Sequence, residues 1–307
     1  MPELPEVETI RRGLDKQVRG SVISEILLSQ HRGFQFKKAA FRTAVQGQLI
    51  HRLTRRGKYL VFELDHHFCI FHLGMTGQLT LRDPSREDVP FRRHPVTGLQ
   101  RTPQHSADEH THLQFVLDND HRILFRDVRK FGKIALLRRE KRTLEEFFSR
   151  LGLEPFTSTY NLDHFLSNMN GRRTKVKSLL LDQGFVAGVG NIYADEALFE
   201  SRIHPSRRVH QLRVYEKHAL FEAIPQVLEK GIRFGGTSIR DFINTEGEAG
   251  DHQQQLNVYG RQGQPCRSCD TPLEKIVVSQ RGTHFCPVCQ PLRGSSRKRA
   301  LAKDFRP

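Results

Sequence analysis

The chain has 307 residues, with 49 Lys and Arg against 34 Asp and Glu and a formal net charge of +15. That length exceeds one small core and argues for two or three domains, and the cationic excess suits a polyanionic partner, nucleic acid first. No run of about 18 apolar residues occurs, and the N-terminus lacks the basic-then-apolar pattern of a secretory signal, so a membrane span is excluded and an intracellular protein is expected. Of five cysteines, four form two tight pairs near the C-terminus, while Cys69 lies in an apolar run and reads as a core residue.

The N-terminal Met1-Pro2-Glu3-Leu4-Pro5-Glu6 sets a nucleophile beside an acid. Pro2 permits removal of Met1, which leaves a secondary α-amine next to the Glu3 carboxyl. Such an amine titrates near ~8, against ~10.4 for lysine, and keeps an unprotonated fraction at neutral pH. Val7, Ile10, Leu14 and Val18 then recur at helical spacing, with Pro5 suited to the first turn and Gly20 after the end. The helix start favours the neutral amine, whereas Glu3, Glu6 and Glu8 favour the ammonium. The same residues also describe a plain helix start with its dipole complemented, and alone they leave both readings open.

Short apolar or alternating runs predict strands at 22–28, 59–64, 69–73, 113–117 and 123–125, with Asp118-Asn119-Asp120 as a turn, and a β-sandwich would bury them. The stretch 83–109, rich in Pro, Arg and His, has no period and reads as a surface loop. Helical spacing follows over 143–234: Leu144, Phe147, Phe148 and Leu151 first, then 173–182, 191–200 and a longer helix over 209–234. Two of these helices are joined by Gly184-Phe185-Val186-Ala187-Gly188-Val189-Gly190-Asn191, where glycine permits left-handed turns and Asn191 suits an N-cap, with Asp195 and Glu196 in the turns beyond. Amides exposed at such a start can hold a phosphate, and Arg172, Arg173, Lys175 and Lys177 stand just upstream; a tight interhelical turn beside a solvated basic face is the equal alternative.

Residues 235–263 carry few apolar side chains and read as a mobile loop. Cys266-Arg-Ser-Cys269 and Cys286-Pro-Val-Cys289 have the spacing of a four-thiolate structural zinc site, which contributes folding energy and keeps no open position for catalysis. Between the pairs, Ile276, Val277 and Val278 lead into 279–283, a hairpin with Arg281 at its tip. The tail from Arg293 is basic and reads as flexible.

Several motifs in one order now carry a resemblance. Met1-Pro-Glu-Leu-Pro-Glu-Val-Glu-Thr9, Arg56-Gly-Lys-Tyr59, His72-Leu-Gly-Met-Thr-Gly77, Val189-Gly-Asn-Ile-Tyr193, Val258-Tyr-Gly-Arg261 and the cysteine hairpin make the chain similar to the formamidopyrimidine-DNA glycosylases, bifunctional base-excision repair enzymes for oxidised purines. The resemblance implies an α+β multidomain fold: a catalytic N-terminal β-sandwich with the first helix over 1–138, a helix-two-turns-helix domain with a lesion-capping loop over 139–260, a four-cysteine zinc finger over 261–291 and a basic tail over 292–307. Damaged double-stranded DNA would cross the cleft between them. One structural Zn2+, a monomer, no membrane partner and a cytoplasmic or nucleoid-associated location go with it.

By family role the Pro2 amine attacks C1′ of the damaged nucleotide, Glu3 assists by proton transfer, and the resulting imine allows elimination of the 3′ and 5′ phosphates. Lys58 matches the family's lysine at the damaged nucleotide. Asn191 and Arg281 match the pair that pinches the backbone around the lesion, Arg281 also serving the later elimination. His110 and Arg172 match further DNA contacts, with His112 a neighbour of the same chemistry. Met75, Arg129 and Phe131 match the three side chains that fill the gap when the base leaves the stack. Three departures stand out. Val128 and Lys130 replace the more frequent proline and arginine, the 83–109 loop is longer than usual, and Gly250-Asp-His-Gln253 replaces the usual aromatic residues of the capping loop. An endonuclease VIII type enzyme is disfavoured by Met75, Arg129, Phe131 and Leu4. A non-catalytic zinc-ribbon protein would leave Pro2, Glu3 and Lys58 without a role, and a zinc deaminase would need a His-x-Glu that none of the 16 histidines supplies.

Overall fold

The apolar spacing after Glu3 becomes α1 (Leu4–Val18), with Glu3 as N-cap, Leu4 in its first position and Pro5 in its second. The Glu6 carboxylate turns back to accept the Glu3 amide at 2.8 Å, as in a capping box. The structure is a computed structural model and describes residues 2–29, 31–84, 107–140, 143–238, 242, 244–245 and 250–292. The central part of the 83–109 loop and the basic tail therefore lie outside the described residues.

Two antiparallel sheets follow. One contains β1 (Ile23–Leu28), β5 (Gln78–Arg82), β6 (Thr111–Leu117) and β7 (Arg122–Arg126) in the order β1-β6-β7-β5. The other contains β2 (Ile50–Arg56), β3 (Tyr59–Leu64), β4 (His67–His72) and β8 (Lys133–Arg138) in the order β2-β3-β4-β8. Their inner faces share one core in which Phe62 and Phe71 meet Phe115 and Phe125, with ring centroids 5.8–6.3 Å apart across the sheets. Truncating Phe115 to Ala is expected to cost about 3–5 kcal/mol. Cys69 belongs to this core, and burial pushes its thiol pKa up.

After α3 (Leu144–Phe147), which with Phe148 packs on the sandwich, the second core is helical, built by α4 (Leu162–Met169), α5 (Val176–Leu181), α6 (Asn191–Glu200) and α7 (Val214–Arg233). Pro225 lies inside α7 and donates no amide, so it cannot bond the Phe221 carbonyl one turn back; that carbonyl accepts the Tyr160 hydroxyl at 2.8 Å instead. The first helix joins both units. Its Val7, Ile10, Leu14 and Val18 enter the sandwich core, while Leu4 enters the helical one.

Several elements differ from expectation. The strands β2, β5 and β8 and the helices α2 (Lys38–Val45) and α4 were not predicted; in β2 only Ile50 and Leu53 are buried, so its apolar signal is weak. The helix expected over 209–234 is a 3₁₀ turn, Val209–Gln211, followed by α7. The segment 235–263 is not simply a loop. Among its described residues, Val258 and Leu256 are buried, and the amides of Asn257, Val258 and Tyr259 converge on the Glu196 carboxylate at 2.8–2.9 Å. The C-terminal hairpin pairs β9 (Glu274–Val278) with β10 (Arg281–Phe285) through Ser279 and Gln280, both at positive φ; these two form the tip, and Arg281 opens the returning strand.

Candidate active site and nucleic-acid interface

Glu3 is 2% exposed and sits where two helices begin. Its carboxylate accepts the amides of Gly190, Ile192 and Tyr193 at 2.7, 2.9 and 3.3 Å, and the Leu4 amide bonds the Gly188 carbonyl at 3.0 Å. Three amides at the head of α6 are thus taken by the chain's own carboxylate. This corrects the phosphate-holding reading of the glycine turn. Gly190, not Asn191, is the N-cap, and a Cβ there would lie 2.4 Å from Glu3 Cδ. Pro2 is buried beside this junction.

Glu6 extends the arrangement inward. Besides the Glu3 amide it accepts the Thr237 amide at 2.7 Å and the Tyr193 hydroxyl at 2.9 Å, and His252 Nδ1 lies 2.9 Å from Thr237 Oγ1. Burial raises the Glu6 pKa, with Glu3 adding to the shift. His252, in the segment where the family more often has aromatic residues, is buried and stacked on Tyr193; burial, helped by Lys230, lowers its pKa to about 4.

Lys58 sits in the β2–β3 turn and is 5% exposed. Burial lowers its pKa, Arg281 contributes in the same direction, and Glu3 and Glu6 oppose. The turn is fixed from the helical unit: Glu154 accepts the Gly57 amide at 2.8 Å and pairs with Arg55 and Arg56. Gly57 has φ +54, and a Cβ there would lie 3.1 Å from the Ala187 Cβ, so the lysine turn rests on the glycine turn. Nothing in the sequence marked Glu154, an isolated acid before Pro155.

On the neighbouring rim Met75 and Phe131 are 41% and 43% exposed, and the Arg129 guanidinium lies 4.7 Å from the Phe131 ring centroid. With Val128, 46% exposed, beside them, these apolar side chains gather on two abutting loops, an arrangement that suits insertion into a stack. Neither Met75 nor Phe131 is a core residue. Below them, buried Asp127 accepts the Thr76 hydroxyl at 2.6 Å and the Gly132 amide at 2.7 Å. Burial opposes its ionisation, but hydrogen bonds from His31, Thr76 and Gly132 outweigh burial and hold its pKa down at about 2.

The two neighbouring histidines differ in packing. His112 is 1% exposed, with Nε2 on the Asp127 carbonyl at 3.0 Å and Nδ1 on Ser29 Oγ at 2.8 Å, whereas the His110 side chain is 32% exposed. Arg172 is exposed and pairs loosely with Asp182 at 3.6 Å. Asn191 Nδ2 donates to the Gly282 carbonyl at 3.0 Å, and its buried Oδ1 has no hydrogen-bond partner among the described residues. Lys177 is not a solvated cation of the basic face. It is fully buried, 2.6 Å from Asp195, and donates to Gly282 O and Thr283 Oγ1 at 3.0 and 2.8 Å. Asp195 in turn accepts the His284 amide at 2.9 Å, so this pair fastens the Arg281 hairpin to α5 and α6.

The sulfurs of Cys266, Cys269, Cys286 and Cys289 all lie within 4.8 Å of one another, with Cys269 3.5 Å from both Cys286 and Cys289 and Cys266 3.9 Å from Cys289. Tetrahedral Zn–S bonds of about 2.3 Å require S···S edges near ~3.8 Å, so the four thiols fit that ion. The amides of Ser268 and Cys289 point at Cys266 and Cys286 sulfur at 3.4 Å, the donors that thiolates call for. These four cysteines would hold one structural zinc, four protein ligands leaving no vacant coordination position.

A sandwich and a helical unit thus share one N-terminal helix, and a four-cysteine hairpin is pinned beside a buried N-terminal carboxylate. Residues 1–134 match the formamidopyrimidine-DNA glycosylase N-terminal domain, residues 151–243 the H2TH domain of the same family, and residues 263–292 the zinc finger found in FPG and IleRS. Formamidopyrimidine-DNA glycosylases of Halalkalibacterium halodurans and Herpetosiphon aurantiacus are 39% and 41% identical over 292 and 298 residues, covering 94% of this chain and 100% of each relative. Lactococcus lactis Fpg in complex with DNA containing an abasic site superposes with a TM-score of 0.82 at 35% identity, covering 94% of this chain and 100% of that one. The same protein with DNA containing an oxidized pyrimidine gives 0.81 at 34%, covering 95% and 100%. The chain belongs to the formamidopyrimidine-DNA glycosylase family.

Proposed function

We propose that this chain excises oxidised purines, formamidopyrimidines and 8-oxoguanine, from double-stranded DNA and then cuts the strand at the abasic site, acting as a monomer through the Pro2 nitrogen freed of Met1. The nitrogen lone pair bonds C1′ as the glycosidic electrons leave with the base, and the opened sugar becomes an imine. That imine withdraws electrons, so the C2′ proton and 3′ phosphate leave first and the C4′ proton and 5′ phosphate follow.

The observation that carries this reading is the seating of Glu3. Its carboxylate is locked on the α6 amides directly after Pro2, close enough to Lys58 for its charge to oppose the burial of that ammonium. Glu3 is thereby positioned to take and return protons beside the reacting carbon. Lys58, buried with a lowered pKa, is suited to phosphate contact and proton transfer in the same space. Arg281, and Asn191, which donates to the carbonyl of the following Gly282, grip the backbone, with His110 and Arg172 as further contacts. Met75, Arg129 and Phe131 fill the vacated position.

Borohydride added during reaction with damaged duplex tests this. Trapping of DNA on the N-terminus supports it, and undiminished trapping after Pro2→Gly with the amine blocked would falsify it. Fully active enzyme that retains Met1 by mass spectrometry sinks it equally. Because the Lactococcus lactis relative has been solved with oxidized pyrimidine DNA, the oligonucleotide panel that ranks lesions includes pyrimidines.

A further inference from the structure

The loops bearing Met75, Arg129 and Phe131 are both crossovers between the two sheets, 73–77 running from β4 to β5 and 127–132 from β7 to β8. We propose that Asp127 and Thr76 are positioning residues that fasten these crossovers into one body, so that the three gap-filling side chains enter the duplex together. This rests on the gap-filling role assigned above. The Thr76 hydroxyl donates to Asp127 Oδ1 at 2.6 Å and accepts the Arg129 amide at 3.2 Å, while Asp127 Oδ2 accepts the Gly132 amide at 2.7 Å. One carboxylate therefore holds both ends of the Arg129 and Phe131 loop and the middle of the Met75 loop.

The carboxylate is itself fixed. His31 Nδ1 accepts the Gly33 amide at 3.0 Å, which places its proton on Nε2, 3.4 Å from Asp127 Oδ2, and both side chains are fully shielded from solvent. The backbones also abut: a Cβ on Gly74 would lie 2.6 Å from the Phe131 carbonyl carbon, and one on Gly33 would lie 1.8 Å from the Gly132 oxygen. Side chains already held in their inserted arrangement lose little freedom on binding, which is what a rigid support contributes.

Single-turnover rates on two substrates test the idea: a lesion in duplex DNA, where a gap must be filled, and an abasic site in single-stranded DNA, where none exists. Thr76→Val keeps the shape and removes the hydroxyl. It is expected to lower the duplex rate about tenfold relative to the single-strand rate, and to add little on a Phe131→Ala background. Asp127→Asn, checked for folding by its melting temperature, should repeat the pattern. Equal losses on both substrates would assign Thr76 to general stability and overturn the proposal, as would a normal duplex rate for Thr76→Val when Phe131→Ala is impaired. A normal duplex rate for Phe131→Ala itself would remove the gap-filling role and the fastening with it.

Discussion

Lys177 and Asp195 meet 2.6 Å apart with neither side chain exposed, one at the start of α5 and the other within α6. Lys177 also reaches the Gly282 carbonyl and the Thr283 hydroxyl, so a single ammonium joins the helical unit to the zinc hairpin. Lys177→Ala leaves a buried carboxylate uncompensated and is expected to cost about 3–5 kcal/mol. Urea denaturation measures that loss, with zinc content unchanged; a loss within experimental error would show that water replaces the ammonium.

Gly190→Ala separates backbone from side-chain causes, because Gly190 has φ −129, which any residue adopts. The added methyl would overlap Glu3 and push its carboxylate off the α6 amides. Base excision is expected to fall about 10²-fold, the scale of a displaced general acid or base. Burst-phase kinetics on lesion duplex would measure it, and near-normal excision would mean that Glu3 has room to move.

Acid should destabilise the protein in two stages. His72 and His252 have pKa values lowered to about 4, both chiefly by burial, with Lys58 and Lys133 assisting at His72 and Lys230 at His252. Folded, they bind fewer protons than unfolded, so stability is intact above ~6.5 and declines as pH falls to about 4. Glu8, where burial is outweighed by Arg11, Arg12 and Arg55, and Asp127 extend the decline from the ordinary carboxylate range to about 2. Glu6, with its raised pKa, offsets part of it. His252→Phe is expected to flatten the curve between ~6.5 and 4 by up to roughly 3 kcal/mol. Parallel denaturation curves for variant and wild type would rule out a neutral buried imidazole.

Arg281→Ala is expected to weaken DNA binding and strand cleavage while leaving zinc in place, since its strand position depends on the hairpin and not on its guanidinium. Stripping the metal with a chelator should weaken DNA binding too, by unfolding that hairpin, yet leave both larger cores cooperative in urea. Zinc lost from Arg281→Ala, read by a metallochromic dye, would make the residue structural. Salt titration of the wild type gives the accompanying check, a steep fall of log affinity with log salt.

Local signals carried much of this fold into the sequence. Tyr59 to Leu64 and Asn191 to Glu200 run where the sequence pattern places them, and the cysteine spacing alone specifies the metal site. What stayed hidden is what depends on partners distant in sequence. Lys177 looks like a solvated base until Asp195 and the hairpin close over it. Glu154 is unremarkable until Arg55 and Arg56 arrive from the other unit, nearly a hundred positions earlier. The glycine turn was legible as a cluster of free amides, but an intramolecular carboxylate and a phosphate satisfy such amides equally, and spacing cannot choose between them. Asp127 lay within a noticed motif, yet its role emerges only when two crossovers come side by side.

Glu3 and Gly190 are 187 positions apart in the chain. On a ribosome Glu3 is therefore made long before the amides that seat it, because its support does not exist until the helical unit has emerged. A nascent copy that holds Glu3 but not yet Gly190 and Ile192 lacks the amides that fix the carboxylate. Synthesis itself delays the chemistry until the reader of DNA is nearly whole.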